Sequence, residues 1–170
     1  MNKLLLAVAL ALFASAAGAA PVLMSGAWTA QACDAWNQNA ILTAELAEKW
    51  VKNDKNHGYK IVHMYRTDCG KLVKVEMKIA TRDGKAMCVY GGPPQNEPDF
   101  DVDYLMHART ERWLEMGKGE YGPMKAMMFG RLEFKGPMLE AMSVMGPFEQ
   151  FLLLVGKVEG DTASCPVAGN

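Results

Sequence analysis

The first helical patterns of the chain lie between residues 25 and 52. Trp28, Ala32 and Trp36 recur at helical spacing after Ser25, whose side chain suits the cap of a helix. After an interruption at 37–39, a second apolar stripe runs over 42–50, with charged pairs on its polar side. Two consecutive amphipathic helices are therefore predicted, followed by a polar loop at 53–58.

From residue 60 onwards the apolar positions alternate with polar ones, as in strands with one buried face. The clearest case is Val73, Val75, Met77 and Ile79, which alternate with lysine and glutamate. Asp83-Gly84 between two such runs is a strong signal for a tight hairpin. The predicted strands are 60–67, 72–80, 86–90 and 100–106, with a short fifth strand at 132–134.

Three Gly-Pro pairs divide the last third of the chain: Gly122-Pro123, Gly136-Pro137 and Gly146-Pro147. Because proline suits the first position of a helix, each pair predicts a helix start. Seven methionines lie between residues 113 and 156: Met116, Met124, Met127, Met128, Met138, Met142 and Met145. Unbranched thioether side chains fill irregular space and accept varied partners, which favours binding of a hydrophobic ligand.

These elements predict one α+β domain over 20–160, followed by a polar tail at 161–170. Its five-stranded, mainly antiparallel sheet has helices over one face, because the apolar faces of strands and helices must meet. We expect an apolar cavity of a few hundred Å³ between the sheet and the helices of 110–155, as ligand pockets require. Its predicted lining residues are Trp113, Met116, Met124, Met127, Met128, Phe134, Met138, Met142 and Phe148.

The N-terminus has the three parts of a secretory signal peptide. Lys3 supplies the positive charge, 4–13 is an apolar run too short for a mature transmembrane helix, and Ala17-Gly18-Ala19 suits a cleavage site. Residues 1–19 are therefore predicted to be a cleaved signal peptide. Removing 19 of 170 residues leaves 151, enough for one domain with its own core. The predicted location is the periplasm or the cell exterior.

Four cysteines remain after the predicted cleavage, and an even number in an exported chain indicates disulfides. The Asp83-Gly84 hairpin would place Cys88 opposite about residue 79, which leaves Cys69 roughly 33 Å away along that strand. Since the Cα atoms of a disulfide lie within about 7 Å, a Cys69–Cys88 bond is disfavoured. We expect Cys33 to pair with Cys69 in preference to Cys88, and Cys165 to be oxidised as well.

Charge and composition narrow the possible partners. Without Lys3, 17 basic residues stand against 19 acidic ones, a formal charge of −2 with both signs scattered. A nucleic-acid-binding protein would need a basic stripe, so no nucleic-acid partner is expected. The oligomeric state stays open.

Candidate chemistry is sparse, and we expect no catalysis and no cofactor. His57, His63 and His107 are dispersed, and no nucleophile or phosphate-loop motif is present. The acidic residues at 99, 101 and 103 are interpreted as a solvated strand face. Two alternatives to a carrier remain, an enzyme or enzyme accessory domain that uses the same cavity, and a copper(I)-binding protein with thioether ligands.

Three motifs resemble those of the sterol carrier protein family, the non-specific lipid-transfer domain, over about 28–155. They are Trp-x₄-Cys-Asp-Ala-Trp-Asn from Trp28, Trp-Leu-x₂-Gly from Trp113 and Gly-Arg-Leu-x-Phe-x-Gly from Gly130. The resemblance implies a five-stranded sheet with helices over one face and an apolar tunnel. It also implies binding or transfer of sterols, fatty acyl chains or phospholipids without chemistry, which allows transient contact with membranes. An exported, disulfide-bonded chain would depart from a mostly intracellular family.

Overall fold

The computed structural model describes residues 19–168, so nearly all of the predicted signal peptide lies outside the described residues. Six α-helices are present: α1 Gly26–Asn37, α2 Ala40–Leu46, α3 Thr110–Gly117, α4 Pro123–Met128, α5 Met138–Ser143 and α6 Met145–Lys157. A single π-helical turn, Ala47–Val51, extends α2. The two predicted N-terminal helices are thus confirmed, and Ser25 caps α1 by accepting a hydrogen bond from the backbone N–H of Trp28.

Five strands form one sheet in the order β3-β2-β1-β4-β5. They are β1 Lys60–Arg66, β2 Val75–Arg82, β3 Lys85–Gly92, β4 Tyr104–Ala108 and β5 Glu133–Lys135. All neighbours are antiparallel except β1 and β4, which are parallel because the chain crosses the sheet after the β1-β2-β3 meander. The predicted α+β class and the mainly antiparallel, five-stranded sheet are confirmed.

The β2–β3 hairpin has the register that its turn residues predict. Asp83 and Gly84 both have positive φ, as a two-residue hairpin turn requires, and Ile79 lies opposite Cys88. The register then shifts next to Lys78 and Ile79, which leaves Val89 as an extra residue on β3. Here the Asn37 side chain donates to the Cys88 carbonyl and accepts from its N–H, so the end of α1 covers this edge strand.

Strand β4 begins four residues later than the predicted strand. Asp99 starts a turn in which its carbonyl accepts hydrogen bonds from the N–H groups of Val102 and Asp103. Asp99 and Asp101 both bind Lys55, whereas Asp103 is buried and accepts from the Ile61 N–H. The expected solvated strand face is therefore wrong, because local aspartate hydrogen bonds compete with the extended conformation. Strand β2 likewise begins at Val75 and leaves Leu72 exposed.

The Gly-Pro pairs precede helices in each case, but only one proline occupies the predicted position. Pro123 is the first residue of α4, whereas Pro137 is the cap of α5 and Pro147 lies within the first turn of α6. All three positions tolerate proline, since the N–H groups of a first turn have no acceptor within the helix.

The helices pack against the face of the sheet that carries the even-numbered residues of β1 and β4. Val62, Met64, Tyr104 and Met106 belong to one core with four buried tryptophans of the helical layer, Trp28, Trp36, Trp50 and Trp113. On the opposite face the Glu76 carboxylate is fully buried under the loop after β3. The backbone N–H groups of Gln95 and Asn96 in that loop donate to it. The sheet is thus covered by helices on one side and partly by a loop on the other.

The disulfides join Cys33 to Cys88 and Cys69 to Cys165, with Cα separations of 5.3 and 5.4 Å. The prediction that all four cysteines are oxidised is confirmed, and so is the exclusion of a Cys69–Cys88 bond. The preference for Cys33–Cys69 is wrong, because α1 packs along β3 rather than beside the far end of β1.

The two ends of the described chain are fixed beside each other. Val22 and Asp161 form an isolated bridge, and the buried Arg66 guanidinium donates to the carbonyls of Thr162 and Ser164. Cys165 anchors the polar tail further through its bond to Cys69. No helix within residues 19–168 is long and apolar enough to cross a bilayer.

Candidate functional site

An apolar pocket lies between the middle of the sheet and the helices α2 and α6. The sheet contributes Val62, Tyr104 and Met106, and the rest comes from the helical layer. The lining residues are Trp36, Leu46, Trp50, Val62, Tyr104, Met106, Val144, Pro147, Phe148 and Phe151. Because every lining residue is apolar or aromatic, the pocket suits a hydrocarbon ligand.

The pocket is narrow in this structure. The space around its lining side chains, open solvent included, is about 310 Å³, but only about 20 Å³ can hold the centre of a water molecule. That is room for about one water, whereas pockets for drug-sized ligands enclose roughly 300–1,000 Å³. An open cavity of the expected few hundred ångströms cubed is therefore not present between these residues, and a lipid could enter only if their side chains moved apart.

Charged and polar groups lie at the Trp50–Tyr104 end of this pocket. Lys60 is fully buried, and its Nζ lies 5.0 Å from the ring centre of Trp50 and 5.3 Å from that of Tyr104. Lys60 Nζ and the Tyr104 hydroxyl both donate to Glu140 Oε1 on α5, and Asn53 Nδ2 donates to Glu140 Oε2. The three donors thus hold one carboxylate.

Burial controls the protonation of this cluster. Loss of hydration lowers the pKa of the Lys60 ammonium below its ordinary value, although the hydrogen bond and charge of Glu140 act in the other direction. Burial, followed by the charge of Glu140, raises the pKa of the Tyr104 hydroxyl. The hydroxyl therefore stays protonated and acts as a donor.

A second buried cluster lies on the opposite face of the sheet. His63 Nε2 lies 3.1 Å from Glu76 Oε2, which also accepts from the backbone of Gln95 and Asn96. Burial raises the pKa of Glu76, but these three hydrogen bonds outweigh it and bring the pKa below its usual value. Strand alternation places this pair away from the pocket, so it fixes the covering loop rather than a ligand.

A larger, charged cleft opens at the surface beside α3 and the end of α4. It encloses about 610 Å³ and is bordered by Arg109, Arg112, Arg131 and His107. Arg112 is paired with Glu115, and the Arg131 guanidinium lies 4.5 Å from the ring centre of Tyr121. Within the described residues, no group of three or more histidine, cysteine or acidic side chains could hold a metal ion.

The sequence profile of the SCP-2 sterol transfer family matches residues 43–149. The chain belongs to this family. None of the curated proteins compared with the chain matches its sequence.

Two solved structures share the fold. A crystal structure of sterol carrier protein 2 is 19% identical, with a TM-score of 0.54 over 81% of this chain and 99% of that chain. A solution structure of a conserved hypothetical protein from Thermus thermophilus is 17% identical, with a TM-score of 0.51 over 86% of this chain and 97% of that one. At these identities the likeness concerns the fold alone.

The residues predicted to line a lipid site fall into three groups in this SCP-2 family chain. Phe148 lines the pocket, and Phe134 lies directly behind it, with its ring centre 4.8 Å from Tyr104. Trp113 and Met116 of α3 are fully buried in the core, and Met127 is half-buried and packs against that core. Met124, Met128, Met138 and Met142 are exposed on α4 and α5. Their contact with lipid stays a prediction.

Sequence reasoning missed Lys60 and Glu140 as part of the site. Lys60 shares its strand face with Val62 and Met64, so strand alternation places a lysine among core positions. That conflict between residue type and position is the signal that could have identified it. Nothing local marks Glu140, which lies 80 positions further along the chain.

Proposed function

We propose that this protein is an exported carrier that binds a single hydrophobic lipid between the sheet and the helices α2 and α6. The observation that carries the proposal is the pocket at that place, whose ten lining residues are all apolar or aromatic, in a chain of the SCP-2 sterol transfer family. Burying a hydrocarbon chain there would contribute about 0.8 kcal/mol per CH₂ group.

Helix α5 ends directly before the lining residue Val144, and it is the element beside the pocket that can give way most easily. It has six residues, and Ala141 is its one buried side chain. Its other attachment to the sheet is the Glu140 carboxylate. Since few apolar contacts hold this helix, its displacement costs little compared with that of α6, in which six residues are buried.

Exposed apolar side chains on α4 and α5 suit a transient contact with a membrane. Met128 and Phe129 at the end of α4 are 71% and 64% exposed, and Leu139 on α5 is 88% exposed. Large apolar side chains exposed on these two helix segments are unfavourable in water and suit an interaction site. A lipid could then pass between bilayer and pocket past α5.

Export and lipid binding without catalysis are supported by observations outside the pocket. The signal-like N-terminus and two disulfides fit an oxidising compartment. The buried His63–Glu76 pair is engaged in structural hydrogen bonds on the face of the sheet away from the pocket.

Lipid transfer between vesicles tests the carrier function. The mature chain, freed of bound lipid, is mixed with donor vesicles that contain a fluorescent fatty acid and with unlabelled phosphatidylcholine acceptors. We expect faster transfer with protein than without, and a 1:1 lipid adduct in native mass spectra. Absence of both transfer and adduct would refute the proposed function.

Two exposed leucines provide a matched pair for the membrane contact. Leu139 and Leu72 are 88% and 89% exposed, but Leu72 lies in the turn before β2, away from α5. Leu139→Glu should slow transfer several-fold without changing the melting temperature or the lipid adduct, whereas Leu72→Glu should change none of these. Equal transfer rates for the two variants would exclude α5 as the membrane contact.

A further inference from the structure

We infer that Lys60, Tyr104 and Asn53 form a binding site for the carboxylate of a single-chain lipid, and that Glu140 occupies this site when the protein is empty. The inference rests on the proposed function and names the head group that the pocket selects. The ligand class is a long-chain carboxylic acid, with its chain in the apolar pocket and its carboxylate on Lys60.

The structure already contains a carboxylate at this position. Glu140 accepts from Lys60 Nζ and from the Tyr104 hydroxyl with one oxygen, and from Asn53 Nδ2 with the other. A fatty acid ends in the same chemical group and can accept the same three hydrogen bonds. Since Trp50 and Tyr104 lie beside Lys60 and also line the pocket, the head group and the chain sites adjoin.

A buried ion pair needs an explanation beyond stability. Lys60 is fully buried, and burying two charges costs free energy that their attraction offsets only partly. An apolar residue at position 60 would continue the pattern of Val62 and Met64 at no such cost. A cation held at the end of an apolar pocket instead suits recognition of an anionic group, where low dielectric strengthens the attraction.

One donor at this end of the pocket is unused. The Nε1–H of Trp50 is buried and has no hydrogen-bond acceptor among the described residues. The Trp50 ring centre lies 5.0 Å from Lys60 Nζ, so this side chain borders the carboxylate site. A buried donor without an acceptor costs free energy, and a ligand oxygen would satisfy it.

Replacement of the Glu140 carboxylate by the ligand carboxylate couples ligand binding to opening of the pocket. When a ligand carboxylate takes Lys60, Glu140 loses its partners and α5 loses its polar attachment. Released Glu140 reaches water, since α5 is exposed on its other side at Leu139. An anionic ligand therefore releases α5 as it binds. A neutral lipid must displace the same helix without forming a new bond to Lys60.

Palmitate and hexadecanol, which differ in the head group, test the inference by titration calorimetry at pH 7.4. The wild-type protein should bind palmitate about 10–100-fold more tightly, the effect of one charge-assisted hydrogen bond. Lys60→Met should abolish this preference. Glu140→Gln should tighten the binding of both ligands and keep the preference for palmitate. Lys55→Met, which removes an exposed lysine paired with Asp99 and Asp101, should change nothing.

Hydrogen exchange provides a readout that does not depend on a variant folding. Palmitate should raise the exchange rate of the α5 amides while protecting those of α6; hexadecanol should not raise exchange in α5. Equal affinity for both ligands, or a preference kept in Lys60→Met, would overturn the inference and leave the carrier function standing. If neither ligand binds the wild-type protein, the proposed function fails with it.

Discussion

Two glycines allow the helices α3 and α6 to touch backbone to backbone, and replacing one of them should be costly. A Cβ atom on Gly156 would lie 2.2 Å from the carbonyl oxygen of Gly117, about 1.2 Å short of the 3.4 Å at which ordinary contact begins. The opposing atom belongs to the backbone, so no side-chain rotation can relieve the overlap. In Gly156→Ala the helices must therefore move apart.

The cost follows from what the contact holds in place. Trp113 and Met116 of α3 and Leu152 of α6 are almost completely buried, and separation of the helices loosens their packing. Overpacking of this kind costs about 1–3 kcal/mol. The higher helix preference of alanine offsets at most about 1 kcal/mol of it. We expect a lower free energy of unfolding for Gly156→Ala, and a melting temperature lower by roughly 2–4 °C per kcal/mol.

Gly146 in the same helix is the matched control. Apart from its own chain neighbours, a Cβ atom there has nothing within 4 Å, but it would adjoin the ring of Pro147, so Gly146→Ala should change the free energy of unfolding by at most about 1 kcal/mol in either direction. Urea unfolding followed by circular dichroism measures both variants at an unchanged m-value. A Gly156→Ala variant as stable as the wild type would refute the close approach of α3 and α6.

Two further predictions concern the buried carboxylate and the disulfides. Because hydrogen bonds hold the folded pKa of Glu76 below 4.5 despite burial, its stabilisation is present above pH 4.5 and lost as pH falls. Glu76→Gln should therefore unfold about 1–3 kcal/mol more easily at pH 7, and the difference should shrink below pH 4.5; parallel pH profiles would contradict this. Non-reduced peptide mapping should show Cys33–Cys88 and Cys69–Cys165, and mild reduction should open the latter first, because Cys165 is exposed and Cys33 and Cys88 are buried.

Local features of the fold could be predicted from the sequence because they depend on neighbouring residues. Ser25 caps α1, and Asp83-Gly84 sets the register of the β2–β3 hairpin. Each rests on one backbone conformation or one hydrogen bond within a few residues. Alternation of apolar and polar residues identified the buried face of β2 at Val75, Met77 and Ile79, but it failed at Asp99, where side-chain hydrogen bonds formed a turn instead.

The candidate site could not be predicted in this way, since its parts meet only through the sheet order. The parallel pairing of β1 with β4 brings Lys60 beside Tyr104, and the path of the chain over that face brings Glu140 to both. The exposed methionines of α4 and α5 show the same limit, because their spacing fits a helix but does not say which face the helix buries.

The sequence by itself determined the helices, the hairpin, the oxidation of four cysteines and the family. The tertiary structure alone decided which cysteines pair, which aromatic residues enclose the pocket, and that a buried lysine and a glutamate 80 positions apart close one end of it. The physical reason is that periodicity and capping are properties of a short segment. Contacts between distant segments depend instead on sheet topology and on the packing of whole helices.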